Sequence, residues 1–442
     1  MMEDQPLSTE EINSELTGIN KGQKALRKKQ IIIASIAGGI LLIGLIILII
    51  ILAKSSGTEP EEGEDFVDRI LGEINCVYDI ESTKTTLILG AEYEKEDSGF
   101  YIYIDNVRVK YSKEYSFNTT GLHNIQFKLY TSLNMTKMFK DVKELISVEM
   151  ISDKYCHITS MESAFENCEN LKFFNLTGFM GFKLKTMKKL FYNTQIKELY
   201  FNSFQTDYLE YISYMLAKTP IYDITLSGLN TSQVTNMSYL FEECGGLLRI
   251  DLSSLNTSKV EDMSSMFYSC LSLDSLNLEN LDTSHIINMS HLFYECFLLK
   301  KIDLNNFDTS NVEDMSSMFQ SCNSLTNLNV SNFNTSKVKN MSKMFSFCNK
   351  LTSIDINNFD FKQVESTSGL FSSCNALQEI NIKNFNTENN KDMSQMFYDC
   401  QMLTTINLDK INTTKVENMS SLFDECISLS SIKLSQYNTR NF

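Results

Sequence analysis

The sequence predicts an α/β solenoid, and three observations predict it. Cys244, Cys270, Cys296, Cys322, Cys348, Cys374, Cys400 and Cys426 each lie 26 residues apart, a fixed period that marks a repeat architecture. Each unit opens on an alternating stretch such as Leu299-x-x-Ile302-Asp303-Leu304, the pattern of a short strand with one buried face. It closes on a stretch such as Met315-x-x-Met318-Phe319-x-x-Cys322, whose apolar residues three and four apart line one side of a helix or of consecutive helical turns. A strand and a helix this short cannot bury their own apolar faces, whereas stacked copies make one continuous core.

Within a unit, Ser310 followed by Glu313 fits a capping box, as do Ser258 with Glu261 and Thr414 with Glu417. The helix is therefore expected to begin just after the threonine–serine pair. The loop Asn306-Phe307-Asp308-Thr309 carries the chain from strand to helix, giving a leucine-rich-repeat-like unit of about 25–26 residues. Before the eight strong units come four degenerate ones, at Met138-Phe139-x-x-Val142, Ala164-Phe165-x-x-Cys168, Leu190-Phe191-x-x-Thr194 and Met215-Leu216-x-x-Thr219. About twelve units thus fill 131–442, ending on a strand at Leu429 to Leu434. At about 4.8 Å per stacked strand they predict a rod or shallow arc roughly 55–60 Å long.

In chain order, 442 residues with 43% apolar and 21% charged content and three prolines describe a large folded body. Residues 1–30 form a polar tail whose bases cluster at Lys21, Lys24, Arg27, Lys28 and Lys29. Ile31 to Ala53 is uncharged and long enough for a transmembrane helix. It also exceeds the apolar run of a cleaved signal peptide. With the bases before it and Glu59, Glu61, Glu62, Glu64 and Asp65 after it, the positive-inside rule places the tail in the cytoplasm and the repeats outside. Residues 54–65 read as an acidic linker. Residues 66–130 lack the repeat and carry β-branched and aromatic runs such as Phe100 to Ile104, predicting a small β-rich domain that caps the first edge of the array.

The string C-x-x-L-x-x-[IL]-[DN]-[LVI], preceded by M-S-x-[ML]-F, resembles the leucine-rich repeats of BspA-like surface proteins over about 135–442. It departs from the best-known pattern in its 26-residue unit and in Met-Phe where Ala-Phe is common. The resemblance implies a solenoid displayed on a cell surface, acting as an adhesin for host matrix proteins or other microbes.

The candidate binding residues are those between the two inward strand positions: Asp251, Asn277, Asp303, Asn329, Asp355, Asn381 and Asn407, with Lys433 after them. Alternation points them away from the core and stacking aligns them across the sheet, the extended surface that solenoids use for binding. A solvated ladder of side-chain hydrogen bonds is the plainer reading of the same row. No loop carries the dense oxygen set that calcium needs. The recurring cysteines fit buried free thiols, while a bridge between the off-phase Cys76 and Cys156 stays open.

A net charge of −16 argues against nucleic acid, which requires a basic patch. His123, His157, His285 and His291 do not converge with a nucleophile, and no glycine-rich phosphate loop is present, so neither an enzyme nor a cofactor is expected. The expected function is recognition of an extracellular protein or cell-surface ligand by a membrane-anchored solenoid; a structural surface coat without a dedicated ligand is the alternative. Because the chain stops within eight residues of Leu434, end-to-end self-association through a thinly covered last edge is a further expectation.

Overall fold

Ser317 and Ser321 have φ angles of 55° and 62°, in the left-handed region that no residue of an α-helix occupies. They flank Met318-Phe319, where the spacing of apolar residues predicts a helix. The same pair of left-handed residues, four apart, recurs in every coil, from Lys137 and Asp141 to Ser421 and Glu425, with Gly369 standing at one of these positions. A computed structural model describes residues 70–433, apart from 96–98, 154–155, 182, 202–203, 383–384 and 410, and none of the described residues is α-helical.

The strand-plus-helix unit, and with it the α/β class, is thereby overturned: the array is a β-solenoid whose second half consists of linked tight turns. Within one coil, Met318 N donates to Met315 O (3.3 Å), Gln320 N to Ser317 O (3.1 Å) and Cys322 N to Phe319 O (3.1 Å). Each turn closes over three residues and the next left-handed residue redirects the chain, so backbone groups that a helix would use internally point at the neighbouring coil. Met315 N, Ser317 N, Phe319 N and Ser321 N donate to Asn340 O, Ser342 O, Met344 O and Ser346 O at 2.8–3.0 Å. A turn repeated every four residues places Met315, Met318, Phe319 and Cys322 on one side just as a helix would, and all four are fully buried.

The expected capping boxes are also replaced. The Asp308 carboxylate accepts from Ser310 N at 2.9 Å, an Asx-turn, while Glu313 accepts from Lys339 Nζ of the next coil. The neighbouring Thr309 is buried, and its Oγ1 accepts from Asn334 N (2.8 Å) and donates to Asn334 O (3.0 Å). One hydroxyl thus serves both backbone groups of the next coil at a corner where the main chains do not pair directly. Thr231 serves Asn256, Thr283 serves Asp308 and Thr335 serves Asp360 in the same way.

Two side-chain ladders run through the core. Rings of Phe241, Phe267, Phe293, Phe319, Phe345 and Phe371 stack at centroid spacings of 5.4–6.0 Å, tilted by 2–19°. Beside them each thiol donates to a carbonyl one coil back, such as Cys322 Sγ to Phe293 O and Cys348 Sγ to Phe319 O, both 3.2 Å. Where threonine replaces cysteine, Thr194 and Thr219 bond Phe191 O and Leu216 O instead. All eleven cysteines are free, Cys76 and Cys156 included. Burial raises the Cys296 and Cys348 thiols to about 12, which keeps them protonated donors.

Residues before the array form strands β1 (Gly72–Ile80), β2 (Thr85–Leu87), β3 (Phe100–Ile104), β4 (Val107–Val109), β5 (Glu114–Ser116) and β6 (Gly121–Leu129). After β7 (Leu133–Asn134), β8 (Leu145–Ile151), β9 (Ile158–Ser160) and β10 (Phe173–Thr177) follow. One six-stranded sheet runs β10-β8-β1-β6-β3-β4. In it β8 and β10 pair in parallel, as coils do, and β1 lies antiparallel along β8, so the first edge of the stack is covered. Phe127 of β6 meets Phe139 edge-on at 5.6 Å, which begins the phenylalanine ladder inside the preceding sheet.

The expected tail, transmembrane helix and linker all fall outside the described residues, as does the chain beyond Lys433 where a thin last edge is expected. Among the described residues no helix is long and apolar enough to cross a membrane.

Candidate functional site

The strand face is built by short parallel strands: β11 (Glu198–Tyr200), β12 (Asp223–Thr225), β13 (Ser275–Leu276), β14 (Lys301–Ile302), β15 (Ser353–Asp355), β16 (Glu379–Asn381), β17 (Thr405–Asn407) and β18 (Ser431–Lys433). Ile354 is buried between exposed Ser353 and Asp355, because successive side chains of a strand point to opposite faces. Asp251, Asn277, Asp303, Asn329, Asp355 and Asn407 are all exposed. Asp355 is the register partner of Asn381, and Asn407 that of Lys433. Between coils that form no strand pair, Asn329 Nδ2 reaches Asn305 Oδ1 at 3.3 Å.

Each of the six also holds its own corner. Oδ1 of Asp251, Asn277, Asp303, Asn329, Asp355 and Asn407 accepts from the backbone N–H two residues on, at 2.9–3.1 Å. Aspartate and asparagine perform this task equally, since both present the same acceptor. What alternates from coil to coil, from Asp251 to Asn381, is charge. Bonds from the hydroxyl and N–H of Ser253 hold the Asp251 carboxyl below the usual carboxylate range, so it is ionised on this face at neutral pH.

Tyr200 and Tyr222, absent from the sequence-based row, extend the face toward the cap. By strand register Tyr200 occupies the position of the aspartates, opposite Thr225. Tyr200 and Tyr222 are 44% and 50% exposed, and Phe173 of β10 is 54% exposed. Tyr200 Oη donates to Asp223 Oδ2 at 2.9 Å, and Tyr222 Oη to Glu198 Oε1 at 2.5 Å. Local desolvation, with the Asp223 bond second, pushes the Tyr200 phenol up to about 12. The signal for these residues lies in the departure from the repeat, Tyr200 standing where the regular coils carry aspartate or asparagine, and Tyr222 where none of them carries an aromatic.

The chemistry available here is contact and hydrogen bonding. Among the described residues no cluster of three or more His, Cys, Asp or Glu could hold a metal ion. His123 Nδ1 bonds Asp105 Oδ2 at 2.7 Å and Nε2 lies 3.3 Å from Thr119 Oγ1, the outline of a triad. Nε2 also lies 3.0 Å from Thr119 O, so the imidazole packs against the Thr119 backbone as well as its hydroxyl.

Comparison with known proteins agrees with the repeat architecture. A family described as "Mycoplasma protein of unknown function, DUF285" matches residues 159–276, 185–301, 270–379 and 347–442, and "BspA type Leucine rich repeat region (6 copies)" matches residues 100–214. A leucine-rich repeat protein from Bacteroides ovatus is similar at 18% identity over 72% of this chain and 90% of that one, with a TM-score of 0.31. No curated protein matches. The repeats at 159–442 therefore place the chain in the DUF285 family, and its earlier coils carry the BspA type leucine-rich repeat that its motifs resemble.

Proposed function

We propose that this protein is a non-catalytic recognition scaffold that binds an extracellular protein or cell-surface ligand through its strand face, as an adhesin does. The observation that carries the reading is the composition of that face: Phe173, Tyr200 and Tyr222 lie exposed at one end, and the Asp251 to Asn407 row continues from them. Exposed aromatics anchor protein interfaces, and an alternating charged row supplies register and partner choice. The uncharged run Ile31 to Ala53 with bases before it is consistent with membrane attachment and presentation of the repeats outside.

The test separates contact from folding. Asp251→Asn, Asp303→Asn and Asp355→Asn together keep every corner bond, because Asn277, Asn329 and Asn407 already make the same one. Tyr200→Ser added to them removes an anchor. Cells displaying this variant should attach more weakly than wild type to surfaces coated with matrix protein, with an unchanged melting temperature. Equal attachment by the folded variant would leave the strand face a passive coat.

A further inference from the structure

The turned face of the solenoid changes its surface pattern over three consecutive coils. The residue after each ladder phenylalanine is large in several coils, and Tyr268 and Tyr294 stack there at 4.6 Å. Over the next three coils it shrinks to Gln320, Ser346 and Ser372 before Tyr398 restores it. Gly369 occupies a left-handed position that other coils fill with a side chain, from Ser317 to His291, Lys343 and Gln395. The lost side chains leave a cleft of about 180 Å³ lined by Gln320, Lys343, Phe347, Ser372, Gln395 and Tyr398 among others.

Phe347 is the second, independent observation. It sits at φ 60°, in a conformation costly for a bulky side chain, and the residue is 44% exposed. Equivalent positions hold Ser269, Glu295, Ser321, Ser373 and Asp399, so neither the turn nor the core requires an aromatic here. Lys343, on the cleft wall, is exposed and among the described residues forms no ion pair. The nearby Asp399 carboxylate accepts instead from Gln401 Nε2 at 2.9 Å.

We propose that this cleft binds one sugar ring bearing a carboxylate, a uronic or sialic acid unit of a surface glycan. Phe347 and Tyr398 offer apolar faces for the ring, Gln320, Gln395 and Ser372 offer hydrogen bonds to its hydroxyls, and Lys343 pairs with the acid. The volume lies below the roughly 300 Å³ at which pockets for drug-sized ligands begin, which suits a single ring of a longer chain. The site lies on the turned face and is independent of the strand-face reading.

Methyl glucuronide and methyl glucoside, titrated into the full-length protein and followed by saturation-transfer NMR, provide the test. The wild type should bind the glucuronide in the millimolar range and the neutral glucoside about tenfold more weakly. Ser372→Tyr, which installs the residue of Tyr294 and Tyr398, and Phe347→Ser, which installs that of Ser321 and Ser373, should each abolish binding while preserving the fold. Lys343→Ser should remove the preference between the two probes, and the strand-face variant should bind as wild type does. Absence of transfer to either probe, equal binding of both by the wild type, or undiminished binding by Phe347→Ser would overturn the proposal.

Discussion

At a single corner, Thr309 shows how much of this fold depends on polar atoms kept inside it. Its hydroxyl is the partner of both backbone groups of Asn334. Valine has nearly the same shape and none of that capacity, so Thr309→Val should destabilise the protein by roughly 1–3 kcal/mol, the cost of leaving a buried polar group unpaired. Urea unfolding of the variant checks this; a change within experimental error would mean that water reaches the corner. The sequence displays Thr309 and its counterparts plainly, but their partners are 25 residues away in the next coil, and a local reading leaves Thr309 in a connecting loop and gives the polar role to the helix cap expected at Ser310. The aspartate and asparagine row is legible because outward position follows from alternation. Its corner bonds are obscured by the same outwardness, since an exposed side chain attracts a functional reading before a structural one. Tyr200 falls outside that row because only the strong repeats define it.

Among the elements, strands are legible, since a period of two fits an extended chain and no helix. The second half of each unit is not, because apolar residues at three- and four-residue spacing describe both a helix and a string of four-residue turns. Serine or lysine in a left-handed conformation carries no mark of it in sequence, in contrast to glycine, which among the described residues stands at only one of these positions, Gly369. The junction with the preceding sheet follows chemistry that sequence does not pair. Gly90 N donates to Met138 O at 2.8 Å, and a Cβ on Gly90 would come within 2.3 Å of Lys137 O. Beside this contact Glu92 bonds Lys137 Nζ (2.6 Å) and Lys140 Nζ (2.8 Å), and these two ammonium groups lower its carboxyl to about 2. A carboxyl depressed in the folded state stabilises it above the ordinary value of 4.5 and ceases to do so as pH falls toward 2. The exposed pair is screened by solvent, so a local effect is expected: exchange of the Gly90 amide should accelerate between pH 4.5 and 2, relative to amides of the central coils. A pH-independent ratio would show that the loop is held by packing alone.

Across the whole molecule, periodicity reveals the stacking, the phase of the core ladders and the buried thiols, because each is a consequence of identical neighbours. It does not reveal what a coil is made of. Each coil is built from turns that left-handed residues redirect, and that conformation reverses the usual meaning of glycine. In a helix each Ser→Gly change would cost roughly 0.5 kcal/mol, since glycine lies about 1 kcal/mol below alanine and serine about half as far. At a left-handed position glycine removes a strain of roughly 1–2 kcal/mol, offset in part by its greater freedom when unfolded. Ser265, Ser317 and Ser321, at φ 56°, 55° and 62°, lie in two different coils. The most direct measurement is therefore the unfolding midpoint of the triple variant Ser265→Gly, Ser317→Gly, Ser321→Gly. A midpoint at or above that of the wild type is the predicted result, and a midpoint lowered by the equivalent of about 1–2 kcal/mol, as three Ser→Gly changes in helices would produce, would contradict coils built from left-handed turns.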